Sequence, residues 1–123
     1  IEVGKRGNNM AHNEYYTFDQ GTVNGKILMN IQVFDEITKK TVSEMKNVSL
    51  DTSKGIQIPG TKAVVSCSIK DNEVYVCIHV RLKYGVNVSK MTREIQEKIA
   101  TSIKQMTGVL VKHVDIEVDN IDF

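Results

Sequence analysis

The strongest constraint on the fold is a run of strict alternation at residues 73–83, EVYVCIHVRLK. Successive side chains of a strand point to opposite faces of the sheet, so every second residue shares a face. The apolar positions of this run are Val74, Val76, Ile78, Val80 and Leu82. The intervening positions are polar or only partly apolar: Tyr75, Cys77, His79, Arg81 and Lys83. A sheet built on this strand can therefore be covered by helices on one side only.

The segment before this run predicts a β-hairpin. Residues 63–69, AVVSCSI, are a second strand-like stretch, and Asp71-Asn72 fits the two-residue tip between the two strands. The register that follows places Cys67 and Cys77 on opposite faces of the sheet. Two thiols that point apart cannot be bridged, so we expect both cysteines to be reduced.

The first half of the chain predicts a strand followed by an amphipathic helix. Residues 24–30 form the strand, and Asn30 is placed to cap the helix that follows. From Ile31 the apolar side chains recur every three or four residues, which predicts a helix ending near Asn47. Residues 49–62 contain the only proline and two glycines, which is typical of a long connection.

A second helix and a last strand complete the pattern. Gly85 permits a backbone conformation that ends the long strand, and Asn87 or Ser89 can cap the helix after it. Apolar residues then recur at helical spacing until Gly108. Residues 110–119 alternate again and predict the final strand.

The predicted order is therefore β-α-β-β-α-β, an α+β two-layer sandwich with two helices on one face of a mainly antiparallel sheet. Strand order does not follow from the sequence, and we take the split-βαβ order as the first hypothesis. We expect one domain at residues 23–121, preceded by a mostly disordered arm at residues 1–22. Met10 looks like a start codon, so residues 1–9 are interpreted as an upstream or vector-derived extension.

Composition and charge restrict the class of protein. The chain is 41% hydrophobic and 25% charged, as in soluble globular proteins, and it contains neither a membrane-length apolar run nor a signal-peptide pattern. Without the three charged residues before Met10, basic and acidic side chains are equal in number, so the net charge is zero. We therefore expect a cytoplasmic protein that binds neither DNA nor an anionic membrane directly.

The polar face contains residue types that can form a metal or thiol site. If the last two strands are neighbours, Cys77, His79 and His113 could approach one another there. These residues lack any diagnostic ligand spacing, so exposed strand histidines and a half-buried thiol are the preferred interpretation. We assign no metal ligands and no cofactor on this basis.

Catalysis is not predicted. Asp115, Glu117 and Asp119 would form an acidic row beside the basic Arg81 and Lys83, which favours cross-strand ion pairs or a solvated face over a paired acid and base. None of the predicted strands places a carboxyl group on its inward face, where a general acid would need it, and no phosphate-binding glycine motif is present. We expect a non-enzymatic protein with no catalytic or cofactor-binding residues.

Single-stranded RNA binding is the alternative function. A β-α-β-β-α-β sheet with an open face is the architecture that stacks bases in RNA-recognition motifs, and Tyr75, His79, Arg81 and Lys83 would lie on that face. The aromatic-rich RNP signature and the GxxG loop of KH domains are both missing, and the last strand adds acidic residues. The pattern therefore disfavours RNA.

The C-terminal half contains YGVNVSKMTREIQEKI at residues 84–99, QMTG at residues 105–108 and VKHVDIEV at residues 111–118. This collinear run resembles the alkaline-shock, or cell-envelope stress response, family of Gram-positive and related bacteria. The family pattern is a strand ending in Tyr-Gly, Val-Asn-Ile, a helix with Arg-Glu-Ile-Gln, a Met-Thr-Gly stop and a Val-x-Val-x-Val strand. The matching positions are Tyr84, Gly85, Val86, Asn87, Arg93, Glu94, Ile95, Gln96, Met106, Thr107 and Gly108. The first half departs from the pattern, with Thr38 and Thr41 in place of helix alanines, which indicates a divergent member.

The resemblance implies an adaptor or scaffold that acts through protein contacts and self-assembly. Its protein partner could be anchored in the membrane, which would recruit the chain to the membrane periphery. The interaction candidates are Tyr75, His79, Arg81, Lys83, Asn87, Arg93, Glu94, Gln96, His113, Asp115 and Glu117. For the helix residues a local role is the preferred interpretation: Asn87 caps the helix, and Arg93 and Glu94 keep its surface hydrated.

Overall fold

The structure is a computed structural model that describes residues 14–18, 23–51 and 64–123. Its elements, in chain order, are β1 (Tyr15–Phe18), β2 (Ile27–Asn30), α1 (Ile31–Ser43), β3 (Val48–Leu50), β4 (Val65–Lys70), β5 (Glu73–Lys83), α2 (Val88–Thr107) and β6 (Val111–Asp122). The predicted α+β class, both helices and the predicted element order are confirmed. β1 and β3 are additional strands.

The main sheet is built around β5. β3 and β4 lie end to end along one edge of β5, both antiparallel to it, and β6 pairs in parallel with the other edge. The split-βαβ order is therefore wrong, because it would separate β5 from β6. A parallel neighbour needs a crossover of a dozen or more residues, and α2 provides that crossover over the inner face.

β1 and β2 form a separate antiparallel ribbon. β1 lies inside the range for which we predicted a mostly disordered arm, and a strand of four residues is too short to show periodicity. The Asn72 side chain holds it: Nδ2 donates to the Thr17 carbonyl at 2.8 Å, and Oδ1 accepts from the Thr17 N–H at 2.9 Å. The rest of the predicted arm, including residues 1–9, and residues 52–63 of the predicted connection lie outside the described residues.

The β4–β5 hairpin matches its prediction. Asp71 and Asn72 both have positive φ, 52° and 57°, as a type I′ turn requires. Lys70 lies opposite Glu73, and Cys67 lies opposite Val76 while Cys77 lies opposite Ser66. The thiols are therefore on opposite faces of the sheet, and neither is in a disulfide.

The helices end as their capping residues predict. Asn30 accepts the Gln32 N–H at 2.8 Å, Asn87 accepts the Lys90 N–H at 2.9 Å, and Gly108 adopts a left-handed φ of 79°. α1 ends at Ser43, a turn earlier than expected, because Asn47 with φ 69° redirects the chain into β3. The core lies between the helices and the inner face of the sheet, where the five apolar β5 positions are at most 1% exposed.

Candidate functional site

The side of the sheet opposite the helices is called the outer face here. Its residues alternate with the buried ones of β5 and β6, so the same pattern that builds the core also determines this surface. The outer-face residues are Tyr75, Cys77, His79, Arg81 and Lys83 of β5, and His113, Asp115, Glu117, Asp119 and Asp122 of β6. Within the described residues, both helices pack on the inner face, and most outer-face side chains are half-buried or exposed.

An aromatic pair lies at one end of the outer face. The Tyr75 and His113 rings are stacked, with centroids 5.4 Å apart and planes inclined by 11°. The stack follows from the register, because these two residues lie directly opposite each other on β5 and β6. The Lys70 ammonium lies 5.6 Å from the Tyr75 ring centroid. The His113 ring therefore packs on Tyr75 and is not part of the cluster of ligand-type atoms around His79.

His79 occupies the centre of the outer face and is surrounded by carboxylates. Its Nδ1 lies 3.0 Å from Asp119 Oδ2 and 3.7 Å from Glu117 Oε1, and its side chain is only 15% exposed. Cys77, His79 and Glu117 each offer a ligand-type atom, and these atoms lie within 4.8 Å of one another. Glu117 therefore takes the place in this cluster that the sequence hypothesis gave to His113.

Arg81 is held by two carboxylates. Its Nε and Nη2 both donate to Asp122 Oδ1, at 2.9 Å and 2.6 Å, and its Nη1 lies 3.6 Å from Asp51 Oδ1. The hydrogen bond to Asp122 raises the pKa of Arg81, and the charges of Asp122 and Asp51 act in the same direction. The guanidinium is therefore engaged within the chain, as the predicted cross-strand ion pairing requires.

Sequence reasoning missed both partners of Arg81. A register shift after Val80 places Asn120 opposite Arg81 and brings Asp122 within reach, and alternation alone does not reveal such a shift. Asp51 directly follows the three-residue strand β3, in a stretch that reads as a loop. Its side chain is only 3% exposed, although nothing in the local sequence marks it as buried.

The candidates on α2 lie on the other side of the domain. Asn87 caps the helix, as the local interpretation predicts, and Arg93 Nη2 donates to Ser89 Oγ at 3.3 Å, a contact within the same helix. Glu94 is exposed and borders two shallow clefts of about 180 and about 320 Å³. The predicted candidates therefore belong to two separate surfaces.

Gln96 has a structural contact with the edge of the sheet. Its Nε2 donates to the Val114 carbonyl of β6 at 2.9 Å. Among the described strands, β5 alone pairs with β6, which is 12 residues long. The far edge of β6 is thus an open edge within this part of the chain.

These features define a two-layer α+β domain whose sheet exposes a polar surface on which His79 and Arg81 contact carboxylates of β6. Residues 19–123 match the model of the alkaline shock protein family, which is described as having a cell envelope-related function. The chain belongs to this family, which confirms the resemblance seen in the sequence. No solved structure matches the chain. Within the described residues, no helix combines the length and apolarity needed to cross a membrane.

Proposed function

We propose that the chain is a non-enzymatic adaptor or scaffold that serves its cell envelope-related function through protein contacts made by the outer face. The observation that supports this proposal is the division of the sheet into two unlike sides. The inner side is covered by α1 and α2, whereas the outer side presents polar groups, of which His79 contacts Asp119 and Arg81 is hydrogen-bonded to Asp122. Because such a surface is polar, it can bind a partner and still leaves no large apolar patch in water when the partner is absent.

The charge of the outer face indicates the chemistry of the partner. Carboxylates outnumber cations on this face, and Arg81 is already held by Asp122. Glu117 has half of its side chain exposed, and Asp115 is exposed as well. A protein surface rich in lysine and arginine complements this face, and we propose that a membrane-anchored protein supplies such a surface and recruits the chain to the membrane periphery.

Self-assembly through β6 is the second part of the proposal. An open strand edge carries unpaired N–H and C=O groups, which a strand of another copy can satisfy. β6 offers an edge of 12 residues, and Gln96 occupies one of its carbonyl groups, that of Val114. Pairing between copies along this edge would extend the sheet and repeat the outer face.

Affinity capture tests the adaptor proposal. The bait is the intact chain, compared with an Asp115→Lys/Glu117→Lys variant and with a control variant, Glu36→Lys/Glu97→Lys, that carries the same charge change on exposed helix positions. We expect the intact chain and the control to recover one membrane protein in near-equal amounts, and the outer-face variant to lose it. Retention by the outer-face variant together with loss by the control would contradict the proposal.

The RNA alternative is favoured by one observation, the stacked Tyr75 and His113 rings. Base stacking alone gives binding that does not depend on the base sequence. Tight binding also requires Lys or Arg side chains that neutralise phosphates and so release their counterions. Because Arg81 is engaged by carboxylates, we expect no binding of a short single-stranded RNA even at low salt, measured by fluorescence anisotropy. Binding that weakens steeply with salt and is lost in Arg81→Ala/Lys83→Ala would instead support the RNA function.

A further inference from the structure

The outer face contains a cluster with the composition of a metal site. Cys77 and His79 are two residues apart on β5, so they share the outer face, and Glu117 lies opposite His79 on β6. Each residue offers one ligand atom, and the three atoms lie within 4.8 Å of one another. The cluster thus combines a thiol, an imidazole and a carboxylate at one point of the sheet.

This donor set matches the coordination chemistry of zinc. Zinc binds Cys sulfur, His nitrogen and carboxylate oxygen at about 2.0–2.3 Å, and its tetrahedral geometry puts the ligand atoms roughly 3.3–3.8 Å apart. Contraction from 4.8 Å to that range requires only small side-chain rotations, because the three residues lie on adjacent paired strands. A site that binds only Mg²⁺ or Ca²⁺ would use oxygen ligands alone, so the thiol and imidazole favour zinc.

Asp119 has the position of a supporting residue for His79. Metal-binding histidines usually donate their second ring N–H to a carboxylate, which fixes the tautomer and the orientation of the ring. Asp119 Oδ2 lies 3.0 Å from Nδ1 of His79, the same ring nitrogen that lies 3.7 Å from Glu117 Oε1, so Asp119 holds Nδ1 in the complex only where the metal is bound by Nε2. The register shift after Val80 leaves Asp119 as an extra residue in β6, between the partners of Val80 and Arg81. This extra residue is the second carboxylate beside His79.

We propose that Cys77, His79 and Glu117 bind one zinc ion, with Asp119 as a positioning residue for His79. The Cys77 thiol gives up its proton on binding and coordinates as the thiolate, so complex formation releases a proton to solvent. Three protein ligands leave the fourth tetrahedral position open, and Glu117, with half of its side chain exposed, lies on the solvent side of the cluster. A water or a side chain of a bound partner can complete the coordination.

Calorimetric titration of untagged, chelator-treated protein with ZnCl₂ tests the proposal. We expect one equivalent of zinc to bind, with the affinity lowered by more than about 100-fold in Cys77→Ser and by about 10-fold in Asp119→Asn. His113→Gln is the matched control, because His113 lies on the same face outside the cluster, and it should bind zinc like the unmodified chain. Saturable binding that is unchanged in Cys77→Ser, or no saturable binding at all, would overturn the proposal.

A cobalt titration gives a second readout that does not depend on affinity. Co²⁺ substitutes for zinc, and a thiolate ligand produces a charge-transfer absorption band in the near-ultraviolet. We expect this band in the unmodified chain and in Cys67→Ser, and we expect it to be missing in Cys77→Ser. Circular dichroism of each variant identifies any that fails to fold, and a cobalt complex without the thiolate band would contradict the assignment of Cys77.

Discussion

Alanine at position 34 is expected to lower the free energy of unfolding by about 3–5 kcal/mol. Phe34 of α1 is fully buried, and its ring makes an edge-to-face contact with Tyr16 at a centroid distance of 6.3 Å. The substitution removes this ring from the packing of α1 against the core and removes its contact with Tyr16 of β1. Domains of this size are typically stable by about 5–15 kcal/mol, so much of the stability depends on this one ring.

The control for Phe34 is its neighbour Val33, which is 38% exposed on the same turn of α1. Val33→Ala should change the free energy of unfolding by no more than about 0.5 kcal/mol. Urea unfolding followed by circular dichroism gives both values. A cost for Phe34→Ala as small as that for Val33→Ala would mean that α1 buries a different face.

A loss of stability at alkaline pH is expected from Cys67. Burial, followed by the hydrogen bond to Asp35 and the charge of that carboxylate, raises the pKa of the Cys67 thiol far above its ordinary range. The unfolded thiol ionises with a pKa of about 8.5, whereas the folded one keeps its proton. The unfolded state therefore binds fewer protons above that pH, and stability falls as the pH rises, by about 2 kcal/mol between pH 8 and pH 10.

Serine at position 67 removes this ionisation and retains a hydroxyl that can donate to Asp35. Between pH 8 and pH 10 we expect the free energy of unfolding of Cys67→Ser to fall by about 2 kcal/mol less than that of the unmodified chain. Urea unfolding at pH 8, 9 and 10 under reducing conditions measures the difference, and Cys77→Ser should keep the decline caused by Cys67. Parallel pH profiles for Cys67→Ser and the unmodified chain would show that Cys67 is solvated.

Much of the fold was predictable because its signals are local. The alternation of β5 determines which side of the sheet is buried, and a two-residue tip with both residues at positive φ determines the hairpin register. The caps Asn30 and Asn87 and the stop at Gly108 act through hydrogen bonds and backbone conformations within a few residues. Such features need no knowledge of distant contacts.

The remaining features depend on contacts between distant parts of the chain. The parallel pairing of β5 with β6 is decided by the path of α2 over the sheet, and alternation is the same for any strand order. The contact of Asn72 with β1 joins residues 55 positions apart, and the sequence contains no marker for it. The same limitation applies to the outer face, where a register shift determines that Arg81 meets Asp122 and that Asp119 meets His79.

Thiol labelling tests most directly whether the outer face is open to a partner. Cys77→Ser leaves only Cys67 on the inner face, and Cys67→Ser leaves only Cys77 on the outer face, so each variant reports on one side of the sheet. With chelator present, we predict that Cys77 reacts faster than Cys67 with a small thiol reagent in the folded protein, because burial raises the pKa of the Cys67 thiol and the thiolate is the reactive form. Equal protection of Cys77 and Cys67 would contradict the account, because it would mean that the chain itself covers the outer face.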